Sequence, residues 1–462
     1  IAPAERATRG TDIIVHLRED ARDFLQAWKL KETIRRYSDT ISFPIYVAED
    51  EAATNKQLAL WRQDPKELDA EAYNDFYKSF TYDFTAPVKT IHIRAEFPLQ
   101  FFSVLFIPSS NQPPMFSARK QTGLQLYARR VLIQDYTTEL LPEYLSFVHG
   151  VVDSEDLPLN VSRETVRAGQ LMAQLRKAIT RRVLSEFKKM AADDRDEWEK
   201  IYAQFGRFLK QGVALAPDDK ADLLPLLLFP TTHNESSEPA SLADYVARMA
   251  DNQADIYYII ADDLHSARRS PHLDAFKRRG IEVLFMTDPV DPILLNGLNE
   301  YESHSFKSVD DANLDLTDVG TLSEDEAEQP DPVAEVDFET VRERFAEVLG
   351  DRVKGVRASK SLVGSPARLV SDDDGAANQM FRVNRLLSRD YELPVKTLEL
   401  NPRHPLMHNL VRLLGQGGGA LSDMAMEQVF ETALLQDGIH PDPASMADRL
   451  TRLLQAATGS EA

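Results

Sequence analysis

The sequence predicts an α/β (α+β) chain of several domains: a larger αβ unit with a long helix, a small αβα layer, and a mostly helical C-terminal domain. Three observations predict it. Ile91, Ile93, Ala95 and Phe97 alternate with His92, Arg94 and Glu96, the period of a strand with one solvated face. Leu171, Leu175, Ile179, Val183 and Phe187 recur every fourth residue, the stripe of a long amphipathic helix. Ile256–Ile260 and Ile281–Met286 are continuously apolar and flank a short helical stretch, as in a βαβ crossover with parallel strands. At 462 residues the chain is too long for one core, and roughly three domains are expected.

The elements follow in chain order. Helical patterns near Phe24-Leu25, Trp28 and Ile34 precede the strand at 91–97. Phe101–Ile107 is more continuously apolar, as a buried strand is, and Leu124–Ile133 reads as one further strand. The long helix closes this unit, placed at 1–215. A second unit, 216–320, holds the crossover: Ser270 is an N-cap, Pro271 takes the first helical position, and Gly280 ends the helix. Residues 321–336 are acidic and proline-bearing, which marks a linker. In the last unit, 337–462, Phe338, Val341, Phe345 and Val348 line a helix that Gly350 caps. Val353–Ala358 and Ala367–Val370 are expected to pair as a hairpin. Two terminal helices follow, lined by Val429, Phe430, Ala433 and Leu434, and by Met446, Leu450, Leu453 and Leu454. Two such helices cannot bury full stripes against each other in so short a domain. A second copy of the chain, forming a two-fold four-helix bundle, is therefore expected.

Composition excludes several functions. There is no cysteine, so disulfides, thiolate metal sites and cysteine nucleophiles are ruled out, and a reducing cytoplasm fits. A net charge of −21 opposes general nucleic-acid binding, because phosphates would be repelled. No apolar run approaches a membrane span.

The most informative stretch is Val151-Val152-Asp153-Ser154-Glu155-Asp156-Leu157-Pro158-Leu159-Asn160-Val161-Ser162-Arg163-Glu164. An apolar pair runs into an acidic loop and then a helix start, where Asn160 and Ser162 are good N-caps. Arg163 is thereby placed at a helix mouth, where backbone N–H groups and a guanidinium can address one anion. This run, together with Tyr77-Lys78-Ser79-Phe80, Glu96-Phe97-Pro98-Leu99, Asp255-Ile256-Tyr257-Tyr258 and Val283-Leu284-Phe285-Met286-Thr287-Asp288-Pro289, resembles the 90-kDa heat-shock chaperones of bacterial type. The resemblance runs from about Gly10 to the final helix.

The resemblance implies an ATP-driven chaperone that binds and remodels partly folded client proteins, here represented by its middle and C-terminal domains. The marks of the family's nucleotide-binding domain, an Asp-x-Gly-x-Gly turn and a glycine-rich lid, do not occur in this sequence. ATP and Mg2+ are accordingly expected on that domain and not on this chain alone, whose own hydrolysis should be essentially nil. In the family the arginine matching Arg163 contacts the ATP γ-phosphate, while the residue matching Asn160 organises the loop. A glutamine four residues beyond that arginine in some relatives is Arg167 here, which adds positive charge. The resemblance also implies homodimerisation through the C-terminal helices and client contact by Trp61, Met380, Phe381, Leu386 and Leu387. For Trp61 a core position is an equal alternative, and for the residues at 380–387 burial against the bundle is the other reading. The C-terminal Thr458-Gly459-Ser460-Glu461-Ala462 differs from the tail that recruits helical-repeat co-chaperones, so no such partner is expected. A dimeric scaffold without any catalytic part is the competing function.

Three patterns are set aside. Gly415-Gln416-Gly417-Gly418-Gly419 follows a helix and lacks the Lys-Ser/Thr ending of a phosphate loop. His404 and His408 have helical spacing, but Pro405 stands where a metalloprotease needs Glu, and no metal is expected. Asp153, Glu155 and Asp156 are expected to be a solvated acidic loop.

Overall fold

The computed structural model describes residues 9–111, 123–158, 166–233, 238–322, 330–372, 376–386, 392–417 and 419–459. The chain is a mixed α/β protein that divides into two compact units, Ile1–Glu186 and Phe187–Ala462.

The first unit is built on a five-stranded sheet. Helices α1 (Ala27–Tyr37) and α2 (Ala70–Thr81) precede it, α2 being capped by Asp69, whose carboxylate accepts from the Ala72 N–H at 2.8 Å. The strands are β1 (Lys89–Ala95), β2 (Phe101–Ile107), β3 (Leu124–Ala128), β4 (Val131–Thr137) and β5 (His149–Ser154). Their order is β1-β2-β5-β3-β4, so β5 is central, antiparallel to β2 and parallel to β3. Gly150 is required there: at φ +149° an added Cβ would lie 2.2 Å from the Val104 carbonyl oxygen.

Two expectations are corrected in this sheet. β1 ends at Ala95, and Phe97 is 91% exposed, because the chain turns through 96–100 to enter β2. Leu124–Ile133 is the core of a hairpin and not one strand. Arg129 and Arg130 both adopt positive φ, 51° and 68°, between β3 and β4. That conformation ordinarily selects Gly or Asn. Here it is held by contacts distant in sequence: the Arg129 N–H donates to the Ser154 carbonyl at 3.2 Å and the Arg130 N–H to Asp153 at 3.1 Å.

Helix α3 (Val166–Asp193) follows, with Leu175, Ile179, Val183 and Phe187 buried along one stripe as the spacing predicts. In the second unit α4 (Arg195–Leu215) is capped by Asp194. Then come α5 (Lys220–Leu223), the short ladder β6 (Leu228–Phe229) with β7 (Ala240–Ser241), and α6 (Leu242–Ala247), opened by a Ser241/Asp244 capping box. The crossover is as expected. β8 (Ile256–Ile260) runs through α7 (Leu264–Arg268) and α8 (Asp274–Arg278) to β9 (Leu284–Met286), parallel to β8. Ser270 caps the turn containing Pro271, and Gly280 turns the chain at φ +63°. After α9 (Asp291–Gly297), β10 (Glu300–Tyr301) and β11 (His304–Ser308) complete the sheet order β10-β11-β8-β9.

The remainder packs α10 (Glu335–Leu349), which Gly350 ends at φ +53°, against a three-stranded sheet and later helices. The strands are β12 (Val353–Ala358) and β13 (Ala367–Val370), with α11 (Ala376–Leu386) before β14 (Lys396–Leu400). α12 (Pro405–Gly415), α13 (Ala420–Gln436) and α14 (Ala447–Thr458) end the fold. Val341, Phe345, Leu398, Leu400, Met407 and Phe430 form the centre of this core. The expected β12–β13 hairpin is not formed. β14 lies between them, parallel to β12 and antiparallel to β13. Lys396 and Glu399 disguise β14 in sequence, since charges argue against a buried strand. Glu399 accepts from Arg357, Arg368 and Ser359, and Lys396 Nζ donates to Asp310 at 2.9 Å and Asp437 at 2.8 Å.

Lys396 ties β14 to the end of β11 and to the end of α13. His272 adds a 3.0 Å contact to Asp437, and Ser308 hydrogen-bonds Asp310. Burial opposes the charge on both acids, yet Lys396 outweighs it and holds Asp310 and Asp437 below the ordinary carboxylate range. Lowered carboxylates contribute stability that is present above their unfolded values, about 3.9, and lost as the pH falls through the folded values. Lys396→Met, which strands two buried acids, should lower unfolding free energy by about 3–5 kcal/mol at neutral pH in denaturant titrations. Asp310→Asn should melt below the parent at pH 7, and that difference should shrink on acidification. A difference that grows toward pH 3 would show the sign to be wrong.

Candidate functional site

β5 delivers the loop that the sequence singles out. Val151 and Val152 are fully buried in the sheet, and Asp153 follows them into the interior instead of standing in water. The expectation of a solvated acid is therefore corrected for Asp153. The strand alternates sides, so Asp153 shares a face with Val151, whose cluster includes Trp61, Tyr77, Val104 and Phe106. A carboxylate in such surroundings has to be met by donors. Trp61 Nε1 donates at 2.9 Å, Arg62 Nε at 2.7 Å, and the Arg130 N–H at 3.1 Å.

The residues after Asp153 are gripped in turn. Arg62 Nη1 bonds Glu155, and Arg129 Nε donates to the Glu155 carbonyl at 3.1 Å. The Glu155 N–H donates to the Gln100 carbonyl at 3.0 Å, and the Gln100 N–H to Asp156 at 2.8 Å. Leu157 is fully buried. Arg62 also lies 4.5 Å from the centre of the Phe102 ring, a cation–π contact. Burial works against its charge, but the bonds and charges of Asp153 and Glu155 prevail and raise its pKa.

Trp61 is only 2% exposed, packed on Tyr127 at 4.8 Å and Phe76 at 5.9 Å between ring centres. The expected client contact by Trp61 is thus corrected to a core position: the indole N–H is committed to Asp153 and the ring to the aromatic cluster. His92 backs the same turn, with Nε2 3.0 Å from the Trp61 carbonyl and Nδ1 2.7 Å from the Tyr73 hydroxyl. Burial lowers the His92 pKa, which favours the neutral ring. Sequence reasoning missed Arg62 and Asp153. The signal available was the adjacency Trp61-Arg62 together with an acid directly following two strand valines.

Asn160 and Arg163 lie outside the described residues, as do the side chain of Arg167 and that of Leu386, and Leu387 altogether. Of the other expected client residues, Met380 is 59% exposed on α11, whereas Phe381 is 5% exposed within the C-terminal core. Successive helix residues point roughly 100° apart, so the two cannot share one open face. The client surface is corrected at Phe381. His404 caps α12 through Nδ1, which accepts from the Leu406 N–H at 3.1 Å, while His408 Nε2 is 3.1 Å from the Asp331 carbonyl. Among the described residues no cluster of three or more metal-ligating side chains occurs, and no helix is long and apolar enough to cross a membrane.

A protein-family model described as "Hsp90 protein" matches residues 47–462. The chain is 38% identical to the chaperone protein HtpG of a Polaromonas species, over 98% of this chain and 74% of that protein. HtpG of Nitratidesulfovibrio vulgaris is 36% identical over 97% of this chain and 70% of its own length. For HtpG of Vibrio cholerae the figures are 37%, 97% and 72%. With a strand-end root for the acidic loop in place and a match along nearly its whole length, this chain belongs to the Hsp90 family of chaperones and is a homologue of bacterial HtpG.

Proposed function

We propose that the chain is the client-binding, dimerising and catalysis-completing part of an ATP-driven chaperone. The observation that carries the catalytic half is the root at 153–157, whose five residues are each buried or hydrogen-bonded, just before the stretch of sequence with Asn160 and Arg163. A fixed base at 153–157 supports a reading in which Arg163 is presented to a nucleotide-bearing domain. Arg163 then neutralises charge on the γ-phosphate oxygens, and Asn160 steadies the loop. ATP and Mg2+ would be held by that other domain, and this chain would contribute the arginine.

Dimerisation is supported by α14, which has no buried residue and leaves Leu450 exposed and Leu454 64% exposed one helical turn apart. Leu435 on α13 is exposed as well. A second copy covering this stripe would satisfy both helices. Client contact is proposed for Met380 with Leu386 and Leu387, where a flexible thioether suits varied apolar partners. The cysteine-free composition and the bacterial relatives support a cytoplasmic setting.

Two measurements test this reading. Mixed with a purified nucleotide-binding domain from an HtpG relative, the chain should raise ATP turnover, and Arg163→Ala should remove roughly 100-fold of it. Equal turnover by the two forms would leave the scaffold as the better reading. Leu454→Glu should shift light-scattering mass from dimer toward monomer, raising the dissociation constant at least about 10-fold, since burying one leucine is worth about 1.5–3 kcal/mol.

A further inference from the structure

We propose that the cavity walled by α8, the 311–317 segment and one face of the β12–β14–β13 sheet is a binding site for a small carboxylic acid with an apolar body, its carboxylate pairing with Arg368. The proposal is independent of the role assigned to Arg163.

The sheet register supplies the polar wall. Arg357 on β12, Glu399 on β14 and Arg368 on β13 stand in one cross-strand row, so their side chains share a face. Two cations thus flank one acid, and the acid is fully spent. Its Oε1 accepts from Arg357 Nε at 3.0 Å and Nη2 at 2.8 Å. Its Oε2 accepts from Arg368 Nε at 2.8 Å and the Ser359 hydroxyl at 3.0 Å. A carboxylate offers about four lone-pair sites, and these bonds fill them. Arg357 Nη2 also reaches the Ala312 carbonyl at 2.8 Å. Arg368 has no second acceptor: its side chain is only 11% exposed, yet neither Nη atom has a hydrogen-bond partner among the described residues. Donors so screened from bulk water call for an acceptor. The free end of a guanidinium carries two parallel N–H groups, which match the two oxygens of a carboxylate. For pairing with Glu399 alone a lysine at 368 would suffice; the unspent edge is what an oxyanion needs.

The cavity sets the rest of the ligand. Its volume is about 620 Å3, within the range of small-molecule sites. Phe276 of α8, Leu314 and Leu316 line it and give an apolar wall. Asp311 and Asp315 line it too, but each is committed to a turn of its own, accepting from the Asn313 and Thr317 N–H groups at 2.9 Å. Arg279 and Lys360 stand among the same lining residues and offset those two acids. In a chain of net charge −21, a cavity whose cations outnumber its acids favours an anion. A multiply charged anion would be opposed by Asp311 and Asp315. A monoanion with an apolar tail satisfies the row and the hydrophobic wall together.

The test titrates phenylbutyrate into the full chain and follows binding by calorimetry. The acid should bind with a dissociation constant of at most about 1 mM. Neutral phenylbutanol, which lacks the charge, and acetate, which lacks the body, should each bind at least about 10-fold more weakly. Arg368→Lys keeps a cation beside Glu399 but loses the paired N–H groups, and should weaken phenylbutyrate binding about 5-fold or more. Arg368→Gln should weaken it about 10-fold or more. Hydrogen exchange locates the site: phenylbutyrate should slow exchange of the amides at 311–317 and 357–361 and leave β1–β5 as in the free chain.

Absence of binding well above that concentration would overturn the proposal. So would equal binding of the alcohol, which would reduce the site to an apolar hollow. Equal affinity of Arg368→Lys and the parent would remove the guanidinium from the site and has the same consequence, as does protection confined to other parts of the chain. Should Arg368→Gln fail to fold, which circular dichroism would reveal, the three ligands on the parent chain and Arg368→Lys still decide the question.

Discussion

A charge taken out of water must be met on every side, and the internal order of both units depends on that constraint. Asp153 in the first unit is the clearest case. Its carboxylate lies at the end of a central strand beneath an aromatic cluster, and it is satisfied only if the 60–62 turn and the 129–130 turn are both in place. The carboxylate therefore selects one arrangement of segments remote in sequence. Lys396 does the same in the second unit, where Asp310 follows β11 and Asp437 follows α13. Lys210, 2.7 Å from Asp291 and 5.1 Å from the centre of the Phe229 ring, joins α4 to α9 in the same manner. Such pairs add little net stability against apolar replacements, but misassembly around them is heavily penalised. Their contribution is to specificity of arrangement.

That constraint also explains which features the sequence disclosed. β1, β2, the stripe of α3 and the β8–β9 crossover were legible because their residues obey a single periodicity and their ends carry ordinary signals such as Ser270, Pro271 and Gly280. β14 was not legible, because Lys-Thr-Leu-Glu-Leu reads as surface until the partners of Lys396 and Glu399 are known. Its omission produced the false β12–β13 hairpin. The Arg129-Arg130 turn was hidden for a related reason. Nothing local favours positive φ at two arginines, and the hydrogen bonds that hold them come from β5.

The candidate site shows the same split. The segment after β5 was singled out by its composition and its likeness to a known family. How it is held was not legible, since an Asp-Ser-Glu-Asp run defaults to a solvated loop on residue type alone. Trp61 had two open readings, and the indole N–H on Asp153 favours the core. Met380 and Phe381 were taken together because they are adjacent in sequence, and helical geometry separates them.

One arrangement links these points to function. In the function proposed above, an arginine that waits for another domain has two conflicting needs: freedom from the local core, so that it can be met, and a fixed address, so that it is met in the right place. A position in the sequence beyond the strand's end serves the first need, since segments outside a sheet escape the packing that confines sheet residues. The second then falls to the residues at the loop's base. Here they include a buried acid, a forked arginine, a fully buried leucine and backbone bonds to Gln100. The order of a strand interior is thereby carried several residues past the strand's end. A polar network is the suitable material for this, because hydrogen bonds carry direction and apolar contacts do not. The sheet thus fixes the course of the chain as far as Leu157.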